Sequence, residues 1–136
     1  MKSLNFNTNI KKYMINNDEN NVISVNTADM GIFERVKKSQ QLFADVQEKY
    51  KEAEKANMIE IMSELDRQVR QQINYIFGSD VCTNAFGTAN CISFCNGIPM
   101  FVGFLNALLI EVREDMQAEQ KKSMENVEKY TSQVKK

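Results

Sequence analysis

The chain has 136 residues, which suits a single domain with one core of ordinary size. Its formal net charge of -1 disfavours a protein whose main work is binding nucleic-acid phosphates, because that work needs a cationic face. Histidine is absent, so the usual general base at neutral pH and the commonest metal ligand are missing. With one proline and five glycines, a few long elements should dominate the fold.

The start of the chain predicts a β-hairpin over residues 3–26. Apolar and polar residues alternate from Leu4 to Ile10, and residues 22–25 form a short β-branched run. The asparagine-rich stretch between them is typical of a turn. A third strand is an open alternative if the chain reverses at residues 7–9. Two strands alone are marginal in water, so the hairpin must pack on helices or on another subunit.

Two heptad patterns predict a long helical segment over residues 28–77, capped by Asn26 or Thr27. The positions of the first seam are Ile32, Val36, Ser39, Phe43, Val46, Tyr50 and Ala53. The positions of the second seam are Met58, Met62, Leu65, Val69, Gln72 and Ile76. Because the seams are out of phase by one residue, we expect a break near residues 56–58. Gly78 is suited to end the segment as a C-cap.

The next region, residues 79–98, predicts an apolar loop with at most one helical turn, and Pro99 suits the start of a final helix over residues 99–130. Asp80 is the only charged residue from 79 to 110. A membrane span over residues 91–110 is disfavoured by its polar residues and by the lack of flanking basic residues. The fold class expected is mainly helical α+β in one domain, with a hairpin followed by a small helical bundle.

The cysteines do not predict a metal site. Cys82, Cys91 and Cys95 have no histidine and no C-x-x-C pair to complete a zinc ligand set. The chain also starts without an apolar export signal, which predicts a cytoplasmic location and reduced thiols. Buried cysteine behaves as a small apolar residue, so we expect structural thiols.

The pattern of charged residues indicates solvent-exposed helix faces rather than a catalytic site. Glu60 shares a helical face with Glu64, as Glu111 does with Asp115, but these carboxylates stand among the arginines Arg67, Arg70 and Arg113. That mixture is typical of a solvated face and not of an acid–base pair. No glycine-rich phosphate motif occurs, and the basic doublets lack aromatic neighbours. We therefore expect no enzyme activity, no cofactor and no nucleic-acid or membrane partner.

Several segments resemble one family. They are INNDENNVISVN at residues 15–26, Asp29, FER at 33–35, Leu65-Asp66, YIF at 75–77, AFGTAN at 85–90 and EKY at 128–130. These segments are similar to tail assembly chaperone-like proteins from the tail-morphogenesis gene modules of phages and prophages of Gram-positive bacteria, encoded near the tape measure protein. The resemblance implies a non-enzymatic assembly factor in the bacterial host. Such a factor would cover the apolar helical surface of the tape measure protein until tail tube protein polymerises around it.

Two function classes stay open: an assembly chaperone, and a structural or self-assembling helical component of a phage tail or other particle. The expected partner-binding residues lie on the final helix and are Phe101, Phe104, Leu105 and Leu108. The alternative is that this stripe is simply bundle core, packed on the second seam. We expect Leu105 and Leu108 in the core, and Phe101 and Phe104 on the surface. Long heptad faces also predict a homo-oligomer.

Overall fold

A computed structural model describes residues 1–134, with side chains for residues 1–128. Its elements in chain order are β1 (Ile10–Ile15), β2 (Asp18–Asn26), α1 (Gly31–Glu52), α2 (Met58–Phe77), α3 (Cys82–Phe86), β3 (Phe94–Cys95), β4 (Ile98–Pro99) and α4 (Met100–Val134). The expected fold class is confirmed: a β-hairpin precedes long helices, and α1 packs against α2. None of the helices within the described residues combines the length and apolarity that crossing a membrane requires.

The hairpin β1–β2 is antiparallel, with Ile10 opposite Asn26 and Met14 opposite Val22. Asn16 and Asn17 form its turn with positive φ values of 50° and 62°, the geometry that suits the right-handed twist of paired strands. Ile23 and Val25 of β2 are buried against the helices, with 3% and 1% of their surfaces exposed. Because alternate residues of β2 are buried, one face of the hairpin packs into the core.

The hairpin is shorter than the expected residues 3–26, because residues 1–9 form no strand. Asn9 has a left-handed backbone (φ 53°), and its carbonyl accepts a hydrogen bond from the N–H of Thr27 at 3.2 Å. Residues 1–8 extend from the hairpin and pair with no strand within the described residues. Leu4 and Phe6 remain 89% and 80% exposed.

The start of α1 also differs from expectation. Thr27 is fully buried and bonded to Asn9, and the helix begins at Gly31 rather than after Asn26 or Thr27. The Asp29 carboxylate accepts a hydrogen bond from the Gly31 N–H at 2.9 Å, so the side-chain bond to the first turn of α1 comes from Asp29 and not from Asn26 or Thr27.

The two seams meet between α1 and α2, which a 3₁₀ turn at Lys55–Asn57 separates where the sequence predicts a break. The inward positions of the seams are buried: Ile32, Ser39, Phe43, Val46, Leu65, Val69 and Ile76. Gly78 ends α2 with a left-handed backbone (φ 72°), and its N–H donates to the Asn74 carbonyl at 2.8 Å. Arg35 Nε donates to the Ile76 carbonyl at 2.8 Å, which places a cation at this helix end.

The segment expected to be a loop, residues 79–98, contains the short helix α3 and the two-residue hairpin β3–β4. Asn96 and Gly97 form the hairpin turn with φ values of 53° and 84°. Pro99 belongs to β4, so α4 begins one residue later, at Met100.

One long side of α4 closes the core. Phe101, Leu105, Leu108, Val112 and Met116 are buried. The rings of Phe101 and Phe43 lie 5.5 Å apart. The prediction that Phe101 lies on the surface is therefore wrong. The Phe101 side chain is 1% exposed, because its helical position puts it on the α1 side of α4.

The second half of α4 has a different environment. From Gln117 to Glu128 its side chains are exposed apart from Glu119, and Met124 and Val127 are 66% and 63% exposed. The side chains of Tyr130 and Val134, which continue the apolar pattern in the sequence, lie outside the described residues.

Candidate docking groove

A groove of about 600 Å³ runs between the hairpin and the first half of α4. Its four walls are the turn end of β1–β2, the end of α3, the β3–β4 hairpin and one side of α4. The residues that line it are Tyr13, Met14, Ile15, Asn16, Asn17, Ile23, Ala85, Phe86, Cys95, Asn96, Ile98, Pro99, Met100, Gly103, Phe104, Ala107, Leu108 and Glu111. Glu111 is the single charged side chain in this lining.

The floor of the groove is a stripe of α4 that is rotated away from the core-facing stripe. Met100, Gly103, Phe104 and Ala107 follow each other at helical spacing. Ile98 packs over Gly103, and the exposed Ala107 leaves the helix backbone close to the open space. Of the four residues expected to bind a partner, Phe104 and Leu108 line the groove. Leu108 is nevertheless 4% exposed. Phe104 thus offers more surface than any other member of that set.

Phe101 and Leu105 do not belong to the groove. They lie on the neighbouring, core-facing side of α4, with 1% and 8% of their surfaces exposed. Their burial follows from the period of 3.6 residues: positions 101, 105 and 108 share one face, whereas 100, 103, 104 and 107 share the next. The stripe that looked continuous in the sequence is therefore two stripes with different neighbours.

A hydrogen bond fixes the hairpin wall to α4. The Tyr13 hydroxyl donates to Asp115 Oδ2 at 2.5 Å, joining residues 102 positions apart in the chain. Burial, and then this bond, raise the pKa of the Tyr13 hydroxyl above its usual value. The hydroxyl therefore stays protonated and keeps donating, which holds β1 at a set distance from α4.

The α3 wall is held from α2. Arg70 donates from its guanidinium to the carbonyls of Gly87 at 3.0 Å and Ala89 at 2.6 Å. The same group lies 5.5 Å from the ring centre of Phe86, and Phe86 in turn packs edge-on against Phe104 with ring centres 5.3 Å apart. The Arg70 side chain is 21% exposed, so this arginine of the predicted solvated face is largely covered, whereas Arg67 and Arg113 are exposed.

Asp66 completes this support. Its carboxylate accepts from the Cys91 N–H at 2.8 Å and from Arg70 Nε at 3.0 Å. Burial alone would raise the pKa of the Asp66 carboxyl, but these hydrogen bonds outweigh burial, and the pKa lies below its usual value. An ion pair on α2 thus orders residues 87–91, a stretch without charges of its own.

The thiols differ in access. Cys82 and Cys91 are buried, whereas Cys95 is exposed and lines the groove. Burial raises the pKa of Cys82 to about 12 and raises the pKa of Cys91 further still. Within the described part of the chain, no three cysteine or acidic side chains lie close enough together to hold a metal ion.

The groove suits contact with apolar chain segments, since its lining offers mostly methyl, methylene and ring surface. Sequence reasoning found Phe104 and Leu108 but missed the hairpin wall and the β3–β4 wall. The Asn96-Gly97 dipeptide, a strong hairpin signal, could have revealed the latter. No protein-family model, curated protein or solved structure matches this chain, so the resemblance rests on the residues quoted above.

Proposed function

We propose that this protein is a non-enzymatic assembly chaperone, and that its groove binds an apolar face of a helical client, the tape measure protein of a phage tail. The observation that carries the proposal is the groove itself, an apolar concavity of about 600 Å³ with one charged lining residue. The resemblance of residues 15–26 and of the later segments to tail assembly chaperone-like proteins supplies the identity of the client.

The shape of the floor favours a helix as the bound segment. Ile98 packs over Gly103, with its Cδ1 3.6 Å from where a Cβ on Gly103 would stand, whereas Ala107 is exposed and small, so a client backbone can approach α4 closely at Ala107. Phe104 and Ile98 stand beside them as larger apolar contacts. An amphipathic helix presents anchors at i, i+3, i+4 and i+7, a spacing that matches such a groove.

Co-expression with the tape measure protein tests the proposal. Ala107 is exposed on the floor, so Ala107→Glu should place a charge against the client and abolish co-purification while the thermal melt stays unchanged. Ala118→Glu is the matched control, because Ala118 is also exposed on α4 but does not line the groove. Equal co-purification of the two variants would contradict a client site in the groove.

A second candidate function is a structural or self-assembling component of the particle. The exposed second half of α4, with Met124 and Val127 open to solvent, favours it, because apolar positions on a protruding helix suit helix–helix contact. Mass spectrometry of finished particles separates the two functions. A chaperone should be absent from them, and a structural component should be present in a fixed ratio to the tube protein.

A further inference from the structure

We infer that residues 1–8 of one copy bind a second copy of this chain, by adding a strand to the outer edge of β1 and inserting Leu4 and Phe6 into the groove beside it. Residues 1–8 are called the arm below. This inference concerns self-association, and it stands whether or not a client protein uses the same groove.

The arm has the pattern of a strand without a sheet. Leu4, Phe6 and Thr8 alternate with Asn5 and Asn7, so an extended arm has one apolar and one polar face. Leu4 and Phe6 are 89% and 80% exposed, although both are large apolar residues. Such a segment gains free energy when its apolar face is covered.

The receiving edge follows from the hydrogen-bond pattern of the hairpin. Thr27 N–H donates to the Asn9 carbonyl, so this is a bonded pair, and bonded and non-bonded pairs alternate along an antiparallel ladder. Ile10, Lys12 and Met14 are therefore in non-bonded pairs, with their N–H and C=O groups pointing away from β2. Within residues 1–134 these groups make no backbone bond to another element.

The groove lies directly beside this edge. Tyr13, Met14 and Ile15 of β1 are part of its lining, and α4 lies beneath. A strand added to β1 would run about 4.8 Å from it, with alternate side chains directed into the groove. Strand addition with side-chain pockets is an established mode of peptide recognition. Charge agrees as well, since Lys2 is the single charged residue of the arm and Glu111 that of the lining.

The backbone around Asn9 favours a second copy over the arm's own groove. To fold back along its own β1 through a two-residue hairpin turn at Thr8–Asn9, the arm would need a positive φ at Thr8 for a type II′ turn, or at both residues for a type I′ turn. Asn9 has that conformation, but Thr8 does not, and a β-branched residue resists it. Asn9 is also tied to Thr27 through its carbonyl and its side-chain amide, which donates to Thr27 Oγ1 at 2.8 Å. These bonds fix the residue at which the arm leaves the hairpin, and beyond it Leu4 and Phe6 stay exposed rather than entering the groove of their own copy.

Sedimentation equilibrium of matched variants tests the inference. The double variant Leu4→Ser/Phe6→Ser should self-associate about a hundredfold more weakly than the native chain, because two large side chains no longer enter the groove. Asn5→Ser/Asn7→Ser, which alters the other face of the arm, should associate as the native chain does. A native chain that stays monomeric at high micromolar concentration, or equal association of both double variants, would overturn the inference.

A mixing experiment tests whether association results from the arm of one copy binding the groove of another, rather than from some other contact. The Leu4→Ser/Phe6→Ser variant keeps its groove, and an Ala107→Glu variant keeps its arm, so each should associate weakly alone while the mixture forms a one-to-one complex. No complex in the mixture would overturn the inference. Normal complementation together with unchanged client co-purification by Ala107→Glu would instead count against the proposed function alone.

The exposed thiol gives a further readout. Cys95 lines the groove, so its alkylation should slow as the concentration of the native chain rises. The Leu4→Ser/Phe6→Ser variant should react at one rate across the same range. A concentration-independent rate in the native chain, under conditions where it associates, would show that the arm does not occupy the groove.

Discussion

Gln72 of α2 donates a hydrogen bond of 2.7 Å to Ser39 Oγ of α1, at a layer where both heptad seams carry a polar residue. Ser39 donates in turn to the Arg35 carbonyl at 2.6 Å and is fully buried. A polar pair inside an apolar seam aligns two helices in one register, because a shifted register would leave its members unpaired. The break at Lys55–Asn57 and this pair together determine how α1 meets α2.

The first prediction concerns an asymmetry within this pair. Ser39→Ala should lower the free energy of unfolding by about 1–2 kcal/mol, because the Gln72 amide loses its buried acceptor. Gln72→Leu should cost less, since Ser39 keeps its bond to Arg35. Urea unfolding measures both, with the exposed Ser63→Ala as a control that should change stability by under about 0.5 kcal/mol. A larger loss for Gln72→Leu would argue against the assigned geometry.

The second prediction separates the two stripes of α4. Phe101→Ala should cost about 3–5 kcal/mol, because it opens a cavity against Phe43 in the core. Phe104→Ala should cost about 1–2 kcal/mol, since Phe104 is half-buried and loses mainly its edge-on contact with Phe86. Thermal or urea unfolding checks both. If Phe104→Asp prevented folding altogether, Phe104 would belong to the core and not to the groove.

The third prediction concerns thiol reactivity. In the folded protein, iodoacetamide should modify Cys95 alone, because Cys82 and Cys91 are buried and burial raises the pKa of both thiols. Intact-mass spectrometry should record one adduct in buffer and three in denaturant. Rapid modification of Cys82 without unfolding would contradict the packing of α3 on α2, and rapid modification of Cys91 would contradict the packing of residues 87–91 on α2.

The fourth prediction concerns acid stability. The folded state holds the pKa of Asp66 below its unfolded value, so the contribution of this carboxylate is full above the unfolded pKa of about 3.9 and is lost as pH falls through the folded pKa. Asp66→Asn should therefore be less stable than the native chain at about pH 7, and the difference should shrink below about pH 4. Unfolding midpoints across this range measure it. A difference that is constant with pH would mean that charge on Asp66 is not the cause.

Periodic patterns in the sequence predicted those parts of the fold that neighbouring residues determine. The seams placed Ile32, Val46, Leu65 and Val69 in the core, because a helix repeats its burial every three to four residues. The β-branched run at residues 22–25 likewise identified the strand that contains Ile23. The alternation of apolar and polar residues around Leu4 led to a wrong prediction of a strand there. Alternation shows which side chains of a strand would share a face, but it does not show whether the same chain supplies a partner strand.

Features that depend on distant contacts could not be predicted in this way. Whether Phe101 or Phe104 faces the core depends on where α1 and α3 lie against α4, and no local pattern states this. Arg70 looked like a surface cation because its acceptors, the carbonyls of Gly87 and Ala89, are 17 and 19 residues away in sequence. The groove joins segments from both ends of the chain, so its hairpin wall emerged only from the structure.

The length of α4 has a consequence for the order in which it forms. An isolated helix must first fix several residues for a single hydrogen bond, so short exposed helices are marginal in water. In α4 the buried turns from Phe101 to Met116 supply that nucleus, and the exposed stretch from Gln117 to Glu128 needs only propagation along a helix already started. Amide hydrogen exchange should therefore accelerate progressively beyond Met116, with the helix melting from its exposed end while the core-packed turns stay protected.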